Sequence, residues 1–319
     1  MNTLLEVKNI TLNAKDTVAF GLITYMAKSG ARAGIATGDT FVDAADATKI
    51  KADISMNAIL MDWNSAEERL RKAAGQGKVF KISEVKLLAP LRPVTIYCAG
   101  ANYSDHVKAA MKATGSAPEP NPHEAGLKPW HFIKPLSTVV GEGSTVNVVS
   151  AKLDWEAELA LVIGRPASNV SVEDALEYVA GYTIANDLSA RDLISRPGVA
   201  DTSPFKYDWI GQKCFDGSCP LGPYIVPAGE IQDPKALSIK LTVNGKVRQQ
   251  SNSSQMLFTA AEQIAHLSSR LTLQPGDVIL TGTPAGTGLE SGEFLKSGDV
   301  IRIEIEGLGS LTTTIGNLD

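Results

Sequence analysis

The chain has 319 residues, of which 44% are hydrophobic, 20% charged and 6% aromatic, and its 30 basic and 35 acidic residues give a net charge of −5. That balance excludes wholesale disorder and a coiled coil, and the length suits one large domain or a large domain with a small companion. No Lys/Arg-rich run offers the footprint that nucleic acid needs, and no run of about 18 apolar residues offers a membrane span, so small-molecule substrates come first.

The start, MNTLLEVKNITL, lacks the basic, apolar and small-residue succession of a secretory leader. Cys98, Cys214 and Cys219 are too sparse for a disulfide scaffold and lack the C-x-x-C spacing of a zinc site, so a reducing cytoplasm is the expected setting. Residues 1–92 read as a small α/β module, with a boundary near Pro93 where KISEVKLLAPLRP brings two prolines together. Inside it, Ser65 and Glu68 have the spacing of a capping box for a helix through Ala74.

Residues 93–319 read as a second, strand-rich domain, making the fold class α+β and mostly β. Between Met111 and Pro129 the run KATGSAPEPNPHEAGLK suits no regular element, and reads as a surface loop or a mobile lid. LDWEAELALVIG is a strand running from polar to apolar, and period two places Glu156 and Glu158 on one face, continued by Ala160 and Val162. Ser171 reads as the cap of a helix whose Val172, Ala175, Leu176 and Val179 share a face and which ends at Gly181. The next strand, YTIANDLSARDL, delivers Asp187 straight after an apolar run. Ile239–Val243, the Asn244-Gly245 turn and Lys246–Arg248 form a hairpin. Thr259 and Glu262 box a helix carrying Ile264 and Leu267, and Ile301, Ile303 and Ile305 alternate with polar residues in a strand from Val300 to Glu306.

Two glutamates and an aspartate at the mouths of apolar strands form an all-oxygen donor set. Hard oxygen ligands without His or Cys suit Mg²⁺, Mn²⁺ or Ca²⁺ better than zinc or copper, and a cation offsets the cost of burying unpaired carboxylates. Taken alone, the E-x-E pair also fits an exposed strand edge, and Arg191 with Asp192 fits a surface or interfacial ion pair.

The succession GANYSDH, FIKPLSTVVGEG, DWEAELALVIG, GYTIANDLSARDL, GQKCFDGSCPLGPYIV, VNGKVRQ and ILTGTPAGTG resembles the catalytic domain of the fumarylacetoacetate hydrolase family across about Val94 to Thr314. The resemblance implies a mixed β-roll or β-sandwich domain, a bound divalent cation, with Mg²⁺ expected first, and a homodimer. It matches Glu156, Glu158 and Asp187 to the metal carboxylates, and Lys213 to the active-site lysine that holds a substrate oxygen anion. Thr283 matches a residue whose hydroxyl or backbone faces the substrate carboxylate, His106 matches the base that activates water, and Tyr103 and Lys134 match pocket positions. Arg191 is a further candidate for substrate binding. Many relatives carry a glutamate three residues after this His; here that position is Ala109, which leaves three readings open: Glu119 or Glu124 orients His106, the His works unassisted, or the reaction needs no activated water.

The reaction first expected is metal-dependent hydrolysis of a C–C bond in a small 1,3-dicarbonyl or acylpyruvate-type oxo-acid, a catabolic intermediate. The alternatives are oxaloacetate-type decarboxylation, isomerisation or tautomerisation of a 2-oxo-enoate, and an inactive ligand-binding homologue. No G-x-S-x-G elbow supports a serine hydrolase, Cys98 and Cys214 read as buried apolar thiols, and GTPAGTG lacks the spacing of a P-loop or dinucleotide fingerprint. Trp130, Phe132 and Tyr207 are the apolar residues expected to line the pocket.

Overall fold

The computed structural model describes residues 17–317 apart from 116, 118 and 119. In chain order, a meander of β1 (Val18–Ala27), β2 (Gly30–Gly38) and β3 (Thr40–Asp43) leads into α1 (Ala44–Thr48), α2 (Met56–Met61) and α3 (Trp63–Ala73), and β4 (Val79–Lys81) returns to pair with β3. Next come β5 (Ile96–Ala99), α4 (Ser104–Thr114), β6 (His131–Lys134), β7 (Val139–Val140), β8 (Ser144–Asn147), β9 (Leu153–Asp154), β10 (Ala157–Ile163), β11 (Val179–Asn186) and β12 (Ser189–Ala190). The last part holds α5 (Trp209–Lys213), β13 (Cys219–Pro227), β14 (Ser238–Val243), β15 (Lys246–Asn252), α6 (Ala260–Ser268), β16 (Val278–Leu280), α7 (Gly288–Ser291), β17 (Val300–Ile305) and β18 (Gly309–Gly316).

The fold is mostly β, as expected. One long mixed sheet runs β4-β3-β2-β1-β13-β11-β10-β16-β5-β6, with β7 added to β13, and a five-stranded sheet runs β15-β14-β17-β18-β8. Period-two alternation decides how the layers stack. Leu159, Leu161 and Ile163 of β10 share a core cluster with Ile239, Leu241, Ile301 and Ile303 of the small sheet, whereas Ala160 and Val162 join Val278 and Leu280, with Ile59 and Leu60 of α2 and Leu70 of α3. The strand carrying the two glutamates is therefore buried on both faces. The boundary expected near Pro93 falls between β4 and β5, and the segment before it joins the long sheet edge to edge, with Leu22 of β1 opposite Ile225 of β13.

The hairpin at Asn244-Gly245 forms as expected, with Asn244 at φ 51° and Gly245 at φ 78°, and the capping box of Thr259 and Glu262 opens α6. Two expected helix starts are corrected. Ser65 lies within α3, which begins at Trp63, because the apolar series Trp63, Ala66, Leu70 and Ala73 draws the helix back by a turn; Glu68 pairs with Lys72 on its exposed side. Ser171 caps only a turn: its hydroxyl accepts from the Asp174 amide, one 3₁₀ turn follows at Ala175–Tyr178, and Val179 already opens β11. Pairing of β11 with both β10 and β13 outweighs the short amphipathic pattern, and Gly181, the expected helix end, lies within β11, where a Cβ would meet Val226 O at 2.4 Å. No helix among the described residues is long and apolar enough to cross a membrane.

Candidate active site

Glu156, Glu158 and Asp187 come together where β10 begins and β11 ends. One oxygen from each lies within 4.8 Å of the others, and all three residues are buried. The start of β10 is fixed by side chains from its neighbours as well as by the sheet. Asn186 Oδ1 accepts from the Glu156 amide at 3.0 Å, and Gln249 Oε1 accepts from the Ala157 amide at 2.9 Å. Glu158 Oε2 accepts from Gly282 N at 2.6 Å; Gly282 adopts φ 96°, a conformation that favours glycine, and any Cβ there would meet Asn102 Cβ at 2.9 Å.

Three cations surround the carboxylates. Lys213, in the last turn of α5, donates to Glu156 Oε2 at 2.8 Å and Asp187 Oδ2 at 2.6 Å. Lys134, at the end of β6 and fully buried, donates to Asp187 Oδ1 and to the carbonyls of Leu188 and Ser218. Arg191 pairs with Glu156 Oε1 and with Asp154 Oδ2, not with Asp192, which instead accepts from the Ser150 hydroxyl.

Burial by itself would raise the Glu156 carboxyl, but the charges of Lys213 and Arg191 outweigh it and hold the group well below the usual carboxylate range. Glu158 goes the other way: burial, then the charges of Asp187 and Glu156, push it well above that range. A fully buried carboxylate beside two others, contacted by a backbone amide and by no salt bridge among the described residues, is where a divalent cation relieves the electrostatic cost. The chemistry of the donor set fits a hard cation.

His106 lies in the first turn of α4, close enough for its charge to act on Glu156. Of the two carboxylates expected to orient it, Glu124 is exposed and Glu119 lies outside the described residues. The carboxylate that meets His106 among the described residues is Glu290 of α7, whose Oε1 lies 2.6 Å from His106 Nδ1, while its Oε2 accepts from Gly286 N at 2.6 Å. The carboxylate that meets His106 thus comes from 184 residues further along the chain than the histidine, not from position 109. With Nδ1 engaged by Glu290, Nε2 is the ring nitrogen left to meet a substrate.

The Thr283 hydroxyl is committed internally, donating to Ala157 O at 3.0 Å and accepting from Gln249 Nε2 at 2.8 Å, so of the two groups expected to face a substrate only its amide is left to donate. Tyr103, fully buried just before α4, has its phenol pushed up by burial and by the charge of Glu158. Trp130 and Phe132 form an aromatic wall with Trp209, and Lys213 Nζ lies 5.2 Å from the Phe132 ring centroid. Tyr207 is exposed and bridges to Ser195. Cys98 is buried, and burial first, then the Asp187 charge, pushes its thiol well above the ordinary range; Cys214 is only partly covered and is raised by burial too. The run expected to suit no regular element begins inside α4, which lasts to Thr114, and further on His123 ties it to α6: His123 Nε2 meets Glu262 Oε1 at 2.8 Å and its ring packs against Phe258.

A sheet-mouth cluster of carboxylates able to hold a cation, balanced by buried lysines and an arginine and with a histidine close by, has the make-up of an enzyme active site. Residues 95–316 match the family described as fumarylacetoacetate (FAA) hydrolase C-terminal, and the chain belongs to the fumarylacetoacetate hydrolase family. The oxaloacetate tautomerase YisK of Bacillus subtilis is 41% identical over 75% of this chain and 75% of its own. The mitochondrial oxaloacetate tautomerase FAHD2B of Homo sapiens is 40% identical over 77% of this chain and 74% of its own. Among solved structures, a putative HpcE protein from Mycobacterium smegmatis has a TM-score of 0.78 and 31% identity, covering 93% of this chain and all of that one. These relatives correct the first expectation: both of these enzymes, at 40–41% identity, are named oxaloacetate tautomerases, not C–C hydrolases.

Proposed function

We propose that the protein is a divalent-metal-dependent tautomerase of oxaloacetate-type 2-oxo acids, interconverting keto and enol forms. The observation that carries this reading is the His106–Glu290 pair set beside the Glu156, Glu158 and Asp187 cluster; the names of the 40–41% identical relatives support the substrate. Tautomerisation needs one proton moved from the carbon beside a carbonyl to the carbonyl oxygen, with no bond cleaved in the carbon skeleton. His106 Nε2 takes that proton from the carbon, Glu290 holds the ring and stabilises the imidazolium, and delivery of the proton to the carbonyl oxygen completes the enol and restores the base. Glu156, Glu158 and Asp187 would hold the cation, Mg²⁺ or Mn²⁺, which when bound polarises the 2-oxo group as a Lewis acid. Lys213, Lys134 and Arg191 set a positive surround for an anionic substrate, and the amide of Thr283 is the donor for a carboxylate. The family resemblance supports a homodimer, which light scattering on the purified protein would check.

The test follows loss of enol absorbance after enol-oxaloacetate is added to the Mn²⁺-loaded protein. The decay is expected to accelerate, to return to the buffer rate with EDTA, and to slow about 10²–10⁴-fold in His106→Gln with unchanged Mn²⁺ affinity. A protein that leaves the keto–enol exchange at its spontaneous rate refutes the reading.

A further inference from the structure

Asp154 belongs to neither half of the site, yet touches the supports of both. It closes β9, is fully buried, and spends its carboxylate on four donors: Gly288 N at 2.6 Å and Trp155 N at 2.8 Å on Oδ1, and Arg191 Nε at 2.8 Å and Leu289 N at 3.0 Å on Oδ2. Arg191 carries on to Glu156, a residue of the carboxylate cluster. Gly288 and Leu289 open α7, whose next residue, Glu290, holds His106. The approach is close: a Cβ on Gly288 would lie 2.7 Å from Asp154 Oδ1 and 2.3 Å from Glu293 O. A helix of four residues has no stability of its own, so its position depends on such anchors.

We infer that Asp154 is a positioning residue that sets the distance between the two halves of the site, fixing Glu156 through Arg191 and His106 through the start of α7. This rests on the reading that His106 and the carboxylate cluster act on one substrate. The linkage leaves a signature that a structural aspartate would not. A group supporting only the cluster changes metal affinity, one supporting only His106 changes turnover, and Asp154 changes both.

The experiment uses the full chain and measures Mn²⁺ affinity, from the EPR signal of free Mn²⁺, alongside kcat for tautomerisation. Glu290→Gln is expected to lower kcat about 10–100-fold with the Mn²⁺ Kd unchanged, and Arg191→Gln to weaken Mn²⁺ about 10–100-fold. Asp154→Asn is expected to do both, and Asp154→Asn with Glu290→Gln to lose no more turnover than the worse single variant, since both act through the same histidine. Should Asp154→Asn fail to fold, Gly288→Ala disturbs the same contact from the helix side and is expected to lower kcat non-additively with Glu290→Gln. The inference is overturned if Asp154→Asn lowers only Tm, with kcat and Mn²⁺ Kd within twofold of wild type, or if the paired losses multiply. Full turnover in Glu290→Gln would instead overturn the reading of His106, while the Mn²⁺ affinities, read without turnover, judge the link from Asp154 to Glu156 by themselves.

Discussion

His106 and His131 show how placement sets the work of one side-chain type. His106 is paired with a carboxylate and lies beside the carboxylate cluster. His131 lies at the start of β6 with its ring stacked 6.1 Å from His266, and burial, helped by the His266 charge against a contact from Gln263, pulls it down to about 4. A group depressed in the folded state stays neutral there while its unfolded counterpart takes up a proton near pH 6.5. Stability is therefore complete above about pH 6.5 and falls as the pH drops toward 4. Denaturant melts of wild type and His131→Phe across that window test this: the variant is expected to lose less stability on acidification, and parallel curves would refute the assignment. Glu290 was not legible in the sequence for a reason that applies to most catalytic pairs: a contact between residues 184 positions apart has no local pattern. The signal that could have found it was the acid placed just past the GTPAGTG turn.

At the scale of elements, what period and turn chemistry dictate was legible. The face shared by Glu156, Glu158, Ala160 and Val162 follows from the pleat alone, and the Asn244-Gly245 hairpin and the α6 capping box follow from local hydrogen bonding. Where a local pattern competed with strand pairing, as at Val179, pairing won, and the helix read from Ser171 shrank to a single turn. The same alternation gives a stability prediction. Ile303 of β17 is 1% exposed and opposes Leu241 of β14, so Ile303→Ala is expected to cost about 2–5 kcal/mol in urea unfolding. Arg302→Ala, facing the other way and half-buried, is expected to cost less than half as much; equal losses would mean that the small sheet does not pack on the long one through this face.

Across the whole molecule, the carboxylates come from two neighbouring strands, Lys213 from α5, Lys134 from β6 and His106 from α4, so the constellation exists only once the long sheet is assembled. Cation binding is then linked to global folding. Mn²⁺ at a hundred times its Kd is expected to add about 2.7 kcal/mol of stability, seen as a rise in Tm that Glu158→Ala abolishes. An unchanged Tm at saturating Mn²⁺ would mean that the site does not take the cation.

The junction of β1 with β13 bears on how the chain is made. Leu22 leaves the ribosome about two hundred residues before Ile225, its partner across the sheet. At roughly 5–20 residues per second, β1 waits on the order of 10–40 s with the edge of a ten-residue strand uncovered. Open strand edges recruit other strands, so nascent chains stalled before β13 are expected to be the species that aggregates or engages chaperones, while chains released past it are not.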